Sequence, residues 1–188
     1  MVWPLGGWQV LENRDKSIVF IGFMGVGKTT VGKLVADKLN RPFIDVDEEI
    51  EKEYGMPVSQ IFKKIGEKAF REREKQLIAE LTEQEKKVIS LGGGAFLQDE
   101  IRKICLSSCI VIHLDLSLES WKDRLSLILE SRPVLHGKSI SEMEELYYNR
   151  QEIYAQHHLK INTDNLKVDQ IAEKMISTLS MEFGVKHE

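Results

Sequence analysis

The chain has 188 residues, the size of one domain built around a single core. Hydrophobic residues make up 42% and charged residues 30%, as in an ordinary globule with a wet surface. The formal net charge of −4 argues mildly against a nucleic-acid or membrane-surface role, since either normally needs a clustered cationic face.

From the N-terminus, Met1 to Lys16 carries Trp3, Pro4, Gly6, Gly7 and Trp8, without the basic start and apolar run of a signal peptide. It reads as a loosely attached extension, with a single domain expected from residue 17 to 188. Ser17 to Ile21 is a continuous β-branched run, expected of a strand buried on both faces. Thr29 to Leu39 has a helical stripe at Val31, Leu34, Val35 and Leu39. Pro42 to Asp45 is a second short strand, and Glu67 to Leu81 a helix with Phe70, Leu77, Ile78 and Leu81 on one side. Val88 to Leu91 and Ile110 to Leu114 are further strands.

A helix is expected around Leu118, Trp121 and Leu125, followed by a Pro- and Gly-containing segment from Ser131 to Lys138. Another runs from Glu142 to Tyr154, with His157 and His158 read as solvated helix-end residues. Leu159 to Asn162 is the last strand, and a final helix carries Val168, Ile171, Ala172, Met175, Ile176 and Leu179 in register. This alternation predicts a three-layer α/β/α sandwich around a five-stranded parallel sheet. Cys105 and Cys109 are too few for a zinc site or a disulfide framework and read as small buried hydrophobes. No apolar run approaches the ~20 residues that span a bilayer, so a cytoplasmic protein is expected.

Gly22-Phe-Met-Gly-Val-Gly27-Lys28-Thr29 matches G-x-x-x-x-G-K-[ST] in full, after a buried strand and before an amphipathic helix. Gly22, Gly25 and Gly27 let the backbone curl until successive N–H groups point at phosphate oxygens. The helix N-terminus adds a partial positive charge, Lys28 bridges terminal phosphates, and the Thr29 hydroxyl ligates magnesium. A plain Gly-rich turn is the bland alternative, and sequence and context together weigh heavily against it. The third strand runs into Gly92-Gly93-Gly94 rather than D-x-x-G, and no N-K-x-D follows, which disfavours a GTPase. A small-molecule kinase is the economical reading.

Asp45 and Asp47 stand at the carboxyl end of the second strand, the edge where parallel sheets bind ligands. Their spacing points both side chains the same way while the chain stays extended, so one could serve magnesium and the other accept a hydroxyl proton. Asp47 could equally cap the helix that starts at Glu48, or do both. Arg71 sits at the edge of a buried helical face, with Glu74 one turn later as a partner to fix its fork. A surface ion pair is the usual meaning of such a pair, whereas an inward arginine would recognise a carboxylate. Three glycines at residues 92–94 suggest a backbone approached closely, or else a tight turn.

The ordered set resembles the shikimate kinase family, whose fold is that of the P-loop kinases and similar to nucleoside monophosphate kinases. The motifs are Gly22 to Thr29, Asp45-Val-Asp47, Phe70-Arg71-Glu-Arg-Glu74, Gly92-Gly93-Gly94, Arg132-Pro133-Val134-Leu135 and Arg150-Gln-Glu-Ile-Tyr154. The resemblance implies ATP held by Gly25, Val26, Gly27, Lys28, Thr29, Thr30, Arg124 and Arg132. It implies shikimate held by Asp47, Arg71, Gly93, Gly94 and Arg150, with Lys28, Asp47 and Arg132 catalytic. Mg2+ would be positioned by Thr29 and Asp45, and a mobile lid would span about residues 125–140. Shikimate and ATP would be its partners, with no nucleic acid or membrane, and a monomer is expected. Departures are the apolar stretch between Arg124 and Arg132, and Glu152 where the family commonly has proline. A gluconate-type or other small-acid kinase is the alternative within kinases, and a regulatory nucleotide-binding module the alternative outside them.

Overall fold

The computed structural model describes residues 13–125, 135 and 137–186. Strand β1 (Ile18–Ile21), β3 (Val88–Ser90) and β4 (Ile110–Asp115) are buried almost throughout, while β2 (Phe43–Asp45) and β5 (Leu159–Asn162) are only partly covered. The sheet order β2-β3-β1-β4-β5, parallel at every pairing, accounts for the difference. Interior strands are covered by helices on both faces and have no polar side to keep, whereas edge strands do.

Seven α-helices are described: α1 (Lys28–Lys38), α2 (Val46–Tyr54), α3 (Val58–Thr82), α4 (Asp99–Ser108), α5 (Leu118–Asp123), α6 (Ile140–Tyr154) and α7 (Val168–Phe183). Helix α1 packs on α7, and α3 packs on both α2 and α4, giving the expected α/β/α sandwich. Cys105 and Cys109 are buried in this core, and burial pushes the Cys109 thiol up to about 12. Among the described residues no helix is long and apolar enough to cross a membrane.

Three local features depart from the sequence expectation. Helix α3 begins at Val58 rather than Glu67 and bends at Gly66, whose φ of 84° and ψ of 159° are not helical. The bend changes the phase of the apolar stripe, so Ile61 and Phe70 both reach the core although they belong to no single straight face. Helix α4 was not anticipated, because only Ile101 and Cys105 of its residues are buried. His157 and His158 are more than solvated ends: Val111 N–H donates to His158 Nδ1 at 3.0 Å, and the His157 ring lies 5.6 Å from that of buried His113.

Residues 13–16 are tied down by Arg41, which donates to the carbonyls of Arg14 (2.8 Å) and Lys16 (2.9 Å). The rest of the expected extension and most of the expected lid, including Arg132, lie outside the described residues.

Register decides where the site forms. Phe20 pairs with Ser90, Ser90 with Asp45, and Ile21 with His113, so the carboxyl ends of four strands stand level. The chain leaving β1 and the chain leaving β3 therefore emerge side by side. The first of these is anchored from outside the sheet: the buried Trp121 indole donates to Met24 O at 2.9 Å, and its ring meets Phe23 edge-on at 5.1 Å. Replacing Trp121 with Phe leaves that buried carbonyl without its donor. We expect a loss of about 1–3 kcal/mol in urea unfolding; unchanged stability would show that water replaces the indole freely.

Candidate active site

The phosphate-binding loop follows β1. Gly22, Gly25 and Gly27 all have positive φ, and Gly27, at 99°, is the left-handed N-cap from which α1 starts. That turn aims the first free N–H groups of α1 into a cavity of about 220 Å³ lined by Gly25, Gly27, Lys28, Thr29, Thr30, Asp45 and Asp47. The Lys28 ammonium donates to Gly22 O (2.9 Å) and Phe23 O (3.0 Å), which holds a buried positive charge over the loop. Val26 lies in the same loop with its side chain buried, so only its backbone is available to a ligand.

Thr29 Oγ1 donates to Asp45 Oδ2 at 2.7 Å. Asp45, and not Asp47, caps α2: its Oδ1 accepts from the N–H groups of Asp47 (3.1 Å) and Glu48 (3.4 Å). The extended conformation ends at Asp45, so the two carboxylates do not share a strand face as their spacing suggested. Asp47 instead occupies the first turn of α2, and both still reach the cavity. A hydroxyl, a buried carboxylate and an adjacent phosphate pocket form an all-oxygen donor set that suits Mg2+, which keeps several waters and takes few protein ligands. No cluster of three or more His, Cys, Asp or Glu side chains able to hold a metal occurs among the described residues.

A second cavity, of about 520 Å³, opens beside the first. Asp47, Gly92 and Gly93 line both. Its lining also includes Arg71, Arg150, Phe62, Phe70, Met24 and Gln98. The three glycines after β3 make this packing feasible. A Cβ on Gly92 would stand 2.6 Å from Asp47 Oδ1, and one on Gly94 would stand 2.6 Å from Arg71 Nη2.

Arg71 lies over the Phe62 and Phe70 rings, at 5.8 and 5.4 Å from their centroids. Its Nη1 donates to Glu74 Oε2 at 2.8 Å, while Glu67, more exposed, accepts from Nε and Nη2 at 3.3 Å. Arg150 is buried, stacks 5.5 Å over Phe23 and donates through Nη1 to Gly93 O at 3.1 Å. Tyr154, one turn further along α6, donates to the same carbonyl at 2.6 Å. Two cations and the Asp47 carboxylate thus line one cavity. Such a cavity suits a small, hydroxylated anion.

Among the groups whose titration burial shifts strongly are Glu74 and His113. Glu74 is fully buried, and burial lifts its carboxyl to about 7 despite the opposing pull of Arg71. His113, beneath the loop, is lowered to about 4 by burial and is neutral in the working range.

Of the residues singled out from sequence, Gly25, Gly27, Lys28, Thr29, Thr30 and Asp45 meet in the first cavity, and Asp47, Arg71, Gly93, Gly94 and Arg150 in the second. Arg124 is the C-cap of α5 and lies outside both linings. Sequence reasoning missed Met24, which reaches the second cavity from the phosphate loop, and Val58, Phe62 and Gln98, which the bend at Gly66 and the turn after Gly94 bring there.

A Walker-type loop at the carboxyl edge of a parallel sheet, facing an acceptor cavity across one carboxylate, defines a P-loop small-molecule phosphotransferase. The family model described as Shikimate kinase matches residues 24–180. A shikimate kinase of Oceanobacillus iheyensis is 54% identical, over 92% of this chain and 94% of that one. One from Bacillus subtilis is 52% identical over the same shares. Among solved structures, shikimate kinase from Acinetobacter baumannii in complex with shikimate aligns with a TM-score of 0.83 at 32% identity, covering 94% of this chain and 98% of that one. The chain belongs to the shikimate kinase family.

Two measurements probe this geometry. Gly92→Ala should displace the Asp47 carboxylate without unfolding the sheet, so turnover should fall at least about tenfold while the thermal midpoint moves little; retained turnover would mean Asp47 adapts. Because Glu74 titrates higher in the folded state than in the unfolded chain, its contribution to stability is present below about pH 4.5 and is lost as the pH rises through about 7. The stability difference between wild type and Glu74→Gln should therefore shift against wild type by about 3 kcal/mol across that window. Urea unfolding at several pH values checks it, and a pH-independent difference would refute the shift.

Proposed function

We propose that the chain transfers the γ-phosphate of ATP to the 3-hydroxyl of shikimate, giving shikimate 3-phosphate and ADP. The observation that carries the reading is the shared wall: Asp47, Gly92 and Gly93 line both the phosphate cavity and the acceptor cavity. A phosphoryl group bound in one is thereby presented to a hydroxyl bound in the other, which is the positioning that phosphoryl transfer requires.

In this reading the N–H groups of Gly25, Val26, Gly27, Lys28, Thr29 and Thr30 cradle the phosphates of ATP. Lys28 offsets the charge that spreads over the transferred group. Thr29 and Asp45 hold Mg2+, which neutralises phosphate charge when bound. Asp47 orients the acceptor hydroxyl and takes its proton as the oxygen–phosphorus bond forms and ADP departs. Arg71 and Arg150 clamp the shikimate carboxylate, and the Gly93 and Gly94 backbone bounds the ring. Arg124 serves the adenine side. Arg132, in a lid at about residues 125–140, covers the phosphates and excludes water.

In this reading the chain acts as a monomer in the cytoplasm, with residues 17–188 as one kinase domain. The test is ADP release with MgATP and shikimate, gluconate, quinate or no acceptor. Release should depend on shikimate, and Arg71→Ala should raise KM for shikimate at least about tenfold with KM for ATP little changed. Release with gluconate alone would move the reading to another small acid, and release without acceptor would make the chain an ATPase.

A further inference from the structure

Gln98 lines the acceptor cavity without belonging to any of the motifs that mark the site. Its backbone is held on both sides: Gln98 N–H donates to Ala95 O at 3.1 Å, and Gln98 O accepts from Arg102 N–H at 3.0 Å as α4 begins. The side chain crosses to α3, where Nε2 donates to Glu74 Oε2 at 2.9 Å. Arg71 Nη1 donates to that same oxygen at 2.8 Å.

Glu74 is wholly buried, and its other oxygen, Oε1, has no hydrogen-bond partner among the described residues. A carboxylate can accept about four hydrogen bonds, so this one is under-supplied for a buried charge. Two donors therefore sustain the anion that anchors Arg71, and Gln98 is one of them. We propose that Gln98 is a positioning residue that acts through Glu74 to hold the Arg71 guanidinium toward the acceptor cavity, and so sets how strongly the acceptor's carboxylate binds. The proposal rests on the reading of Arg71 as a carboxylate ligand.

The surrounding groups give this contact its leverage. Facing Glu74 are Arg71 on the same helix, Asp47 from α2 and Gln98 from the start of α4; Arg71 favours the anion, Asp47 opposes it, and the Gln98 amide favours it. Without Gln98 the only remaining donor among the described residues is Arg71 itself. Glu74 then takes up a proton more readily, and the exposed Glu67 at 3.3 Å becomes the stronger partner, drawing Arg71 outward. A neutral amide suits the role. A lysine there would compete with Arg71 for Glu74, and an acid would repel the acceptor that Arg71 attracts.

Gln98→Met keeps the chain length and removes the donor. In 13C-glutamate-labelled protein without acceptor, with the Glu74 signal assigned by its loss in Glu74→Gln, the titration midpoint should move up by about one pH unit, a tenfold change in proton affinity. KM for shikimate should rise several-fold with KM for ATP and kcat little changed, and the acid limb of kcat/KM for shikimate should move up with the NMR midpoint. Gln98→Glu should raise KM for shikimate further. An unmoved Glu74 titration overturns the proposal. So does a parallel rise in both KM values with a lowered thermal midpoint, which marks a merely structural role. Should wild type fail to use shikimate while the titration still moves, the acceptor assignment fails and the hold of Gln98 on Glu74 stands.

Discussion

A single carbon atom added at Gly92 or Gly94 would meet the Asp47 carboxylate or the Arg71 guanidinium at 2.6 Å. The rest of the site depends on that closeness. The backbone between them, at Gly93, accepts from both Arg150 and Tyr154, so three different helices converge on three consecutive residues. With side chains at Gly92 and Gly94, the Asp47 carboxylate and the Arg71 guanidinium would each be forced out of place. That is enough to spoil alignment in a reaction whose rate rests on positioning and electrostatics rather than on covalent help from the protein.

The strand register turns this local feature into a two-substrate geometry. Because Phe20 is level with Ser90, the loop after β1 and the glycines after β3 leave the sheet together. Phe23, just inside the loop, then joins the two halves. It packs edge-on against Trp121 and Tyr147, and Arg150 lies over its face. The phosphate loop and the acceptor cation are thus braced by one aromatic ring, and Tyr147 completes the brace by donating to Leu116 O at 2.7 Å.

Burial gives the charged groups their force. Lys28, Asp45, Glu74 and Arg150 are all buried, and the field of each is screened far less than it would be in water. The cost appears at Glu74, held near neutrality in its titration, and at its unpartnered oxygen. Imperfect satisfaction of that kind belongs at functional sites, where a side chain must stay oriented toward a ligand instead of relaxing onto its neighbours. His113 carries the same mark beneath the loop, with an unpartnered Nδ1 and a ring stacked toward Tyr154 at 5.4 Å.

Contiguous apolar runs such as Ile18 to Ile21 and Ile110 to Leu114 sufficed to read the interior strands, since burial on both faces leaves a plain signal in composition. The phosphate loop was equally legible, because its function requires glycine, lysine and threonine at fixed spacing along one continuous segment. What local pattern could not convey was which carboxylate caps a helix. Asp45 and Asp47 look interchangeable in sequence, and the turn into α2 directly after Asp45 decided it. Nor could it place Phe62 and Gln98 in the acceptor cavity, for they arrive there by a non-helical Gly66 and a short turn at residues 95–97. The chemistry of each substrate's ligands was set by residue type and so was written in the sequence. The shared wall between the two cavities is a relation among segments far apart in the chain, and only packing of the helices on a registered sheet could bring it about.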